Sequence, residues 1–299
     1  QFWATGRTMC HGKTSVAAPT PCSDGKNIFA AFSSNDVICL DLDGNLQWLR
    51  GLTADYANVS NSLGMSSSPL LIDSAIIVQV ENDSESYTLA LNKRTGLNLW
   101  KLNRPKAANW TSPVRLANTL IALQSKNGID AIRAADGTKA WSYDGGASTI
   151  PSSTLHGGVL YVPSRGITAL ELNPADAENT PKELWQSPRL SPGTASPVVL
   201  GKKVFTINGA GVLTAGNLQT GERSWQTRLK GPFSATPVAT ATHLYCVNEA
   251  GLLQVVDTRG KEGEIIGTLN LDDTILGSPA VGGGAIYLRS NTKIYKISE

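Results

Sequence analysis

The sequence predicts an all-β fold, a seven-bladed β-propeller of four-stranded blades, in a single domain covering residues 1–299. Three observations predict it. A proline, most often preceded by Ser or Thr, recurs about every 43 residues, at Pro21, Pro69, Pro113, Pro151, Pro197, Pro237 and Pro279. Each is followed by short β-rich runs such as Val204-Phe205-Thr206-Ile207 and Leu244-Tyr245-Cys246-Val247, punctuated by Gly, Asn and Asp as in hairpins. No useful length of chain carries a helical 3.6-residue period. A repeat of this length built from four short strands is a propeller blade. A lone blade leaves two faces uncovered, so blades stack around an axis.

The blades close in order on a turn and a tryptophan. Asp43-Gly44 leads to Trp48, and Ala90 reaches Trp100 through Thr95-Gly96. Ala131 reaches Trp141 through Asp136-Gly137, and Ala215 reaches Trp225 through Thr220-Gly221. Between them, Ala169 to Trp185 is the same unit with an insertion from Asn173 to Pro181. The sixth unit, Val255 to Gly267, has lost its tryptophan. The seventh ends after three strands, and Gln1-Phe2-Trp3 carries the missing fourth, so the ring is expected to be closed by the N-terminal strand joining the last blade. Trp3, Trp48, Trp100, Trp141, Trp185 and Trp225 are therefore structural, each wedged from an outer strand against a neighbouring blade.

Composition narrows the function. Net charge is +2 with a pI near 8.3, which provides no field for nucleic acid. The apolar runs, such as Leu70-Leu71-Ile72, fall far short of the ~20 residues of a membrane-spanning helix. Hydrophobic residues at 41% exclude a disordered chain. No leader with a charged and then an apolar stretch opens the sequence, and Gln1 is not an initiator, so a mature form or a trimmed piece is expected. Cys10, Cys22, Cys39 and Cys246 lack zinc-like pairing; one bridge among the first three and burial as small apolar residues are both open.

The frame Ala-x-x-x-x-(Thr/Asp)-Gly-x-x-x-Trp, preceded by (Ser/Thr)-Pro and two hairpin strands, resembles the PQQ-like repeat and covers essentially the whole chain. The opening Asp41-Leu-Asp-Gly-Asn-Leu-Gln-Trp48 and the ending Ser278-Pro-Ala-Val…Ile286-Tyr-Leu-Arg289 are similar to bacterial extracytoplasmic propellers related to the outer-membrane assembly lipoprotein. That resemblance implies a periplasmic, non-catalytic propeller that presents surfaces to protein partners. The sequence departs from the quinoprotein alcohol dehydrogenases, whose adjacent cysteines over the cofactor have no counterpart in Cys10 and Cys22. No cofactor is therefore expected, PQQ with calcium being considered and disfavoured.

Motif chemistry is sparse. Gly12-Lys13-Thr14 lacks the earlier glycine of a phosphate loop. His11, His156 and His243 have no metal spacing, and Asp41 to Asn45 coincides with a blade turn rather than a calcium loop. Glu81 to Glu85 could hold calcium, but reads first as a solvated acidic loop. Three triplets, starting at Asn58, Asn82 and Asn109, match the glycosylation acceptor by chance.

Topology points to one face. Links from an outer strand to the next inner strand share it with the turns between second and third strands, where propellers commonly bind ligands. His11, Lys13, Tyr56, Asn58 and Trp110 belong to the links. Asn35, Asp36, Glu81, Lys126, Arg165, Asn208, Asn248, Glu249 and Arg289 belong to the turns. Lys126, Arg165 and Arg289 are candidates to meet an anionic group, and Trp110 is either an exposed contact or inter-blade packing. The leading reading is a monomeric binding or scaffold module for a protein or peptide. The alternatives are a quinone-binding oxidoreductase and a ligand-sensing domain of a larger protein.

Overall fold

The computed structural model describes residues 4–59, 63–117, 119–173 and 179–298. The fold is the all-β, seven-bladed β-propeller: seven antiparallel sheets, each of consecutive strands, with one four-residue helix, Leu52–Asp55, among the described residues. Six sheets have four strands and the last, Ala280–Gly282, Ala285–Arg289 and Ile294–Ile297, has three among the described residues. The expected closing strand from Gln1 to Trp3 lies outside them. The chain divides into two compact units, Gln1–Leu155 with Asn173–Pro181, and His156–Leu172 with Lys182–Glu299.

Burial explains why the middle strands are apolar runs. Strand Ala75–Val80 is buried at every residue, because Ile76 and Val78 pack on Phe29, Val37 and Trp48 of the preceding blade while Ile77 packs on Ile121 and Leu123 of the following one. Both faces of a middle strand are covered, so both carry apolar side chains. The second unit repeats the arrangement: Phe205, Leu213 and Trp225 pack on Leu244, Cys246 and Val256.

The tryptophan frame has a specific physical cause. Trp48, Trp100, Trp141, Trp185 and Trp225 stand opposite Cys39, Ala90, Ala131, Ala169 and Ala215, and the register shifts immediately after each pair. A small residue leaves room for the indole, and the bulge turns it outward. In the first unit Trp48 donates its Nε1–H to the Lys93 carbonyl at 3.0 Å and Trp100 to that of Ala134 at 2.9 Å. In the second, Trp185 donates to Leu218 at 3.0 Å. Each indole also lies against the turn glycine of the next blade, Gly96, Gly137 and Gly221, whose φ values are +69°, +75° and +69°. A Cβ on those glycines would come within 2.8, 2.7 and 2.4 Å of the ring. Trp225 instead covers Gly263, and its buried N–H has no hydrogen-bond partner. The sixth blade has Gly267 where the indole would stand, opposite Val255.

The (Ser/Thr)-Pro motif links blades at their inner ends. The Thr20 N–H donates to Ser68 Oγ at 2.9 Å, Ser68 to Ser112 Oγ at 3.0 Å, and Ser112 to Ser152 Oγ at 3.0 Å. In the second unit Ser196 donates to Thr236 Oγ1 and Thr236 to Ser278 Oγ, both at 3.0 Å. This relay corrects the repeat alignment in the fourth blade. The equivalent of Ser112-Pro113 there is Ser152-Ser153, not Ile150-Pro151, because Ser152 supplies the hydroxyl.

Truncating Trp48 to Ala should lower stability by about 3–5 kcal/mol. Gly137→Ala should also destabilise, through a left-handed backbone and the Trp100 contact. Ser224→Ala, on an exposed outer-strand position, should stay within about 0.5 kcal/mol. Urea denaturation with constant m-values tests all three.

Candidate functional site

Each link from an outer strand to the next inner strand meets a turn between second and third strands, as the topology requires. In the first unit Leu52 donates its N–H to Asn35 O at 3.0 Å, Asn109 bridges Glu81, and Ala147 donates to Lys126 O at 3.3 Å. In the second, Gly193 donates to Ile207 O at 2.7 Å and Glu249 to Pro232 O at 3.0 Å. One face of each unit is thus a hydrogen-bonded set of links and turns.

The residues expected there divide by burial. His11, Lys13, Asn58, Lys126, Arg165 and Arg289 are exposed. Tyr56 is half-buried: its ring packs 4.6 Å from that of Tyr87, its hydroxyl accepts from Asn98 Nδ2 at 2.6 Å, and Lys101 Nζ lies 4.2 Å over it. Trp110 is half-buried and donates Nε1–H to Gly64 O at 3.0 Å, so it packs between links. Asn208 and Asn248 cap their turns, each Oδ1 accepting two backbone N–H groups. Glu249 accepts from Ser234 Oγ at 2.8 Å. Asn35 and Asp36 are buried, and Asp36 accepts from the Thr5 N–H and the Ser34 hydroxyl.

The acidic segment is not a solvated loop at its start. Glu81 is 1% exposed, with Asn82 fully buried beside it, because it pairs with Arg104 at 2.6 Å and accepts from Asn109 at 2.9 Å. Arg104 also binds Asp130 at 2.5 Å, and Lys139 and Ser142 reach the same carboxylate. Burial of Asn82 and Asn109 removes both as glycan acceptors in the folded chain. Burial pushes the Glu81 carboxyl above its ordinary range against the pull of Arg104 and Asn109. At Asp130 burial acts the same way, but the Ser142 hydrogen bond and the Arg104 charge outweigh it and hold the carboxyl below the usual range.

Sequence reasoning passed over Arg104 and Asp130, although the repeat marks both. Four residues past the outer-strand tryptophan position the chain has Leu52, Leu229 and Leu271 in three blades, Gly145 in the third, and arginine in the second and fourth, Arg104 and Arg189. At the position of Leu89, Thr168, Thr214 and Gln254 the third blade has Asp130. An acid at an otherwise apolar or neutral repeat position, in the blade after an arginine, is the legible signal of a pair.

The remaining motifs are turns. Asp41 Oδ1 accepts the N–H groups of Asp43 and Asn45 at 3.0 and 2.8 Å, and Thr14 closes a turn onto His11 O at 2.9 Å. All four cysteines are free thiols; Cys39 and Cys246 are buried, and burial pushes Cys246 up to about 12. Among the described residues no three His, Cys, Asp or Glu side chains converge as metal donors.

Blades of this repeat, clasped by indole on glycine, define the class as a PQQ-like β-propeller. A family profile described as outer membrane protein assembly factor BamB matches residues 3–142, 86–180 and 175–266. The chain belongs to that family. Among solved structures it is similar to BamB from Moraxella catarrhalis, at 17% identity and a TM-score of 0.72, covering 98% of this chain and 84% of that one. A europium-containing methanol dehydrogenase is similar at 14% identity and a TM-score of 0.65, covering 93% and 73%. No curated protein matches the chain. At these identities the two structures share the fold.

Arg104→Ala should cost about 3–5 kcal/mol at neutral pH by leaving the buried Glu81 without its cation and Asp130 with Lys139 alone. Because the folded-state pKa of Asp130 is lowered, its contribution is present above the ordinary carboxylate range and lost as pH falls through the lowered value. Asp130→Asn should therefore be less stable at neutral pH and show a shallower acid limb. Urea midpoints collected across a pH series test both.

Proposed function

We propose that this chain is a non-catalytic binding or scaffold module, monomeric and extracytoplasmic, that engages a protein or peptide through one propeller face. The carrying observation is the set of links and turns on one face of each unit, held by backbone and Asn-cap hydrogen bonds, with exposed Lys126 in the first unit and exposed Arg165 and Arg289 in the second. Such a surface is rigid and polar with half-buried aromatics, which suits docking at low ordering cost. Membership of the assembly-factor family supports the same reading and the periplasmic location. A quinone-binding oxidoreductase is the second reading, supported by the fold of the methanol dehydrogenase. It is the weaker one, because the sequence has no adjacent cysteines like those over the cofactor in quinoprotein alcohol dehydrogenases.

Two experiments separate the readings. Peptides selected from a displayed random library should bind and should lose at least tenfold in affinity on a face substitution such as Tyr56→Ala. Adding PQQ with calcium should change neither the visible absorbance nor the thermal midpoint. Turnover of an alcohol in the presence of the quinone, abolished by a point substitution on the face, would overturn the proposal.

A further inference from the structure

The first unit carries an apolar strip with an unbalanced charge beside it. Four segments run side by side on its face. His11 donates its N–H to Leu63 O at 2.9 Å, Trp110 Nε1 donates to Gly64 O at 3.0 Å, and the Trp110 N–H donates to Thr149 O at 2.8 Å. Gly64 is so close to the entry segment that a Cβ there would lie 2.4 Å from Met9 O. These contacts align Met9, Leu63, Trp110 and Ile150 across four successive links. Met9, Leu63 and Ile150 are 47%, 42% and 48% exposed, and Trp110 is half-buried between them. Exposed apolar side chains brought together by rigid backbone, rather than scattered singly, mark an interaction surface.

The exposed charge around the strip is mostly cationic. Arg7 and Lys106 belong to two of the four segments, and Lys126 is in the turn whose carbonyl receives the Ala147 N–H. All three are exposed, and none has an ion-pair partner among the described residues. The carboxylates nearby are mostly neutralised: Asp55 by Arg50, Glu85 by Lys101, and Glu81 with Asp130 by Arg104. Asp83 and Asp144 are the exposed acidic exceptions, and Asp36 is buried on hydrogen bonds from Thr5 and Ser34. Because charges are screened beyond about 8 Å at physiological salt, a docking segment feels this local surplus and not the overall charge.

Resting on the binding-module reading, we propose that this strip receives an extended, acidic segment of a partner protein that bears apolar side chains. The apolar side chains would cover Met9, Leu63, Trp110 and Ile150, and the carboxylates would meet Arg7, Lys106 and Lys126. The acidic groups steer encounter and orient the segment, while apolar contact supplies most of the affinity.

The test uses the full chain and a short labelled peptide alternating Asp with Leu and Phe, read by fluorescence anisotropy. A counterpart with Lys for Asp and vesicles of phosphatidylglycerol serve as the other arms. The acidic peptide should bind, and added salt should weaken it. The double variant Lys106→Glu, Lys126→Glu should weaken it at least tenfold, as should Ile150→Ser with Met9→Ser. All four positions are exposed, and unchanged thermal midpoints would show that the variants fold. Equal binding of the lysine peptide, no effect of the double variant, or binding of vesicles but not of the peptide would overturn the proposal. Hydrogen-exchange protection by library-selected peptides elsewhere on the molecule would overturn this surface while leaving the binding-module reading intact. Failure of every peptide, selected ones included, would bring down both.

Discussion

The contact on which the rest depends is an indole lying flat on a glycine of the next blade. Gly96, Gly137 and Gly221 have left-handed backbones and no side chain, which lets Trp48, Trp100 and Trp185 approach to ring contact. The indole N–H then satisfies a carbonyl in the same turn region, at Lys93, Ala134 and Leu218. One residue thus buries a large apolar surface, satisfies its own polar atom and fixes the position of the next sheet. At the inner end, the Ser/Thr hydroxyl relay does the same with a single hydrogen bond per step. A blade is held outside by packing and inside by a directional bond. This is why a 43-residue unit that cannot fold alone becomes stable in series.

Both devices are local in sequence, and that made the fold legible. Turn glycine, indole four residues later and hydroxyl before proline are spaced by strand geometry, so they survive as a periodic pattern. The reading failed where the pattern had lost one of its marks. In the fourth blade the proline after the key hydroxyl is absent, and Ile150-Pro151 lies two residues too early; only the hydrogen bond from Ser112 identifies Ser152. Trp225 shows the converse: its frame is intact, yet its N–H has no partner because the facing turn has Gly263 in a different setting.

The candidate face was legible only as a set of positions. Topology says which loops share it, but whether a polar residue is solvated or buried depends on what the neighbouring blade presents. Glu81 and Lys126 occupy comparable ends of middle strands, yet one is buried and the other exposed. The difference is Arg104, at a position that is leucine in three other blades, which brings Glu81 and Asp130 together. A pairing between residues 23 and 26 positions apart has no strand period to reveal it.

That substitution also shapes what the surface can offer. Two carboxylates that would otherwise project near the links are drawn inward by one guanidinium, whose buried charge they jointly balance. Arg50 and Lys101 hold two more at the rim. Neutralising acids by pairing them within the scaffold leaves Arg7, Lys106 and Lys126 without an ion-pair partner among the described residues. A chain of nearly zero net charge can thereby present a locally cationic face, because what a partner meets is the charge that folding has left unspent. The blade repeat determines where loops emerge, and departures from the repeat determine which charges those loops are left to display.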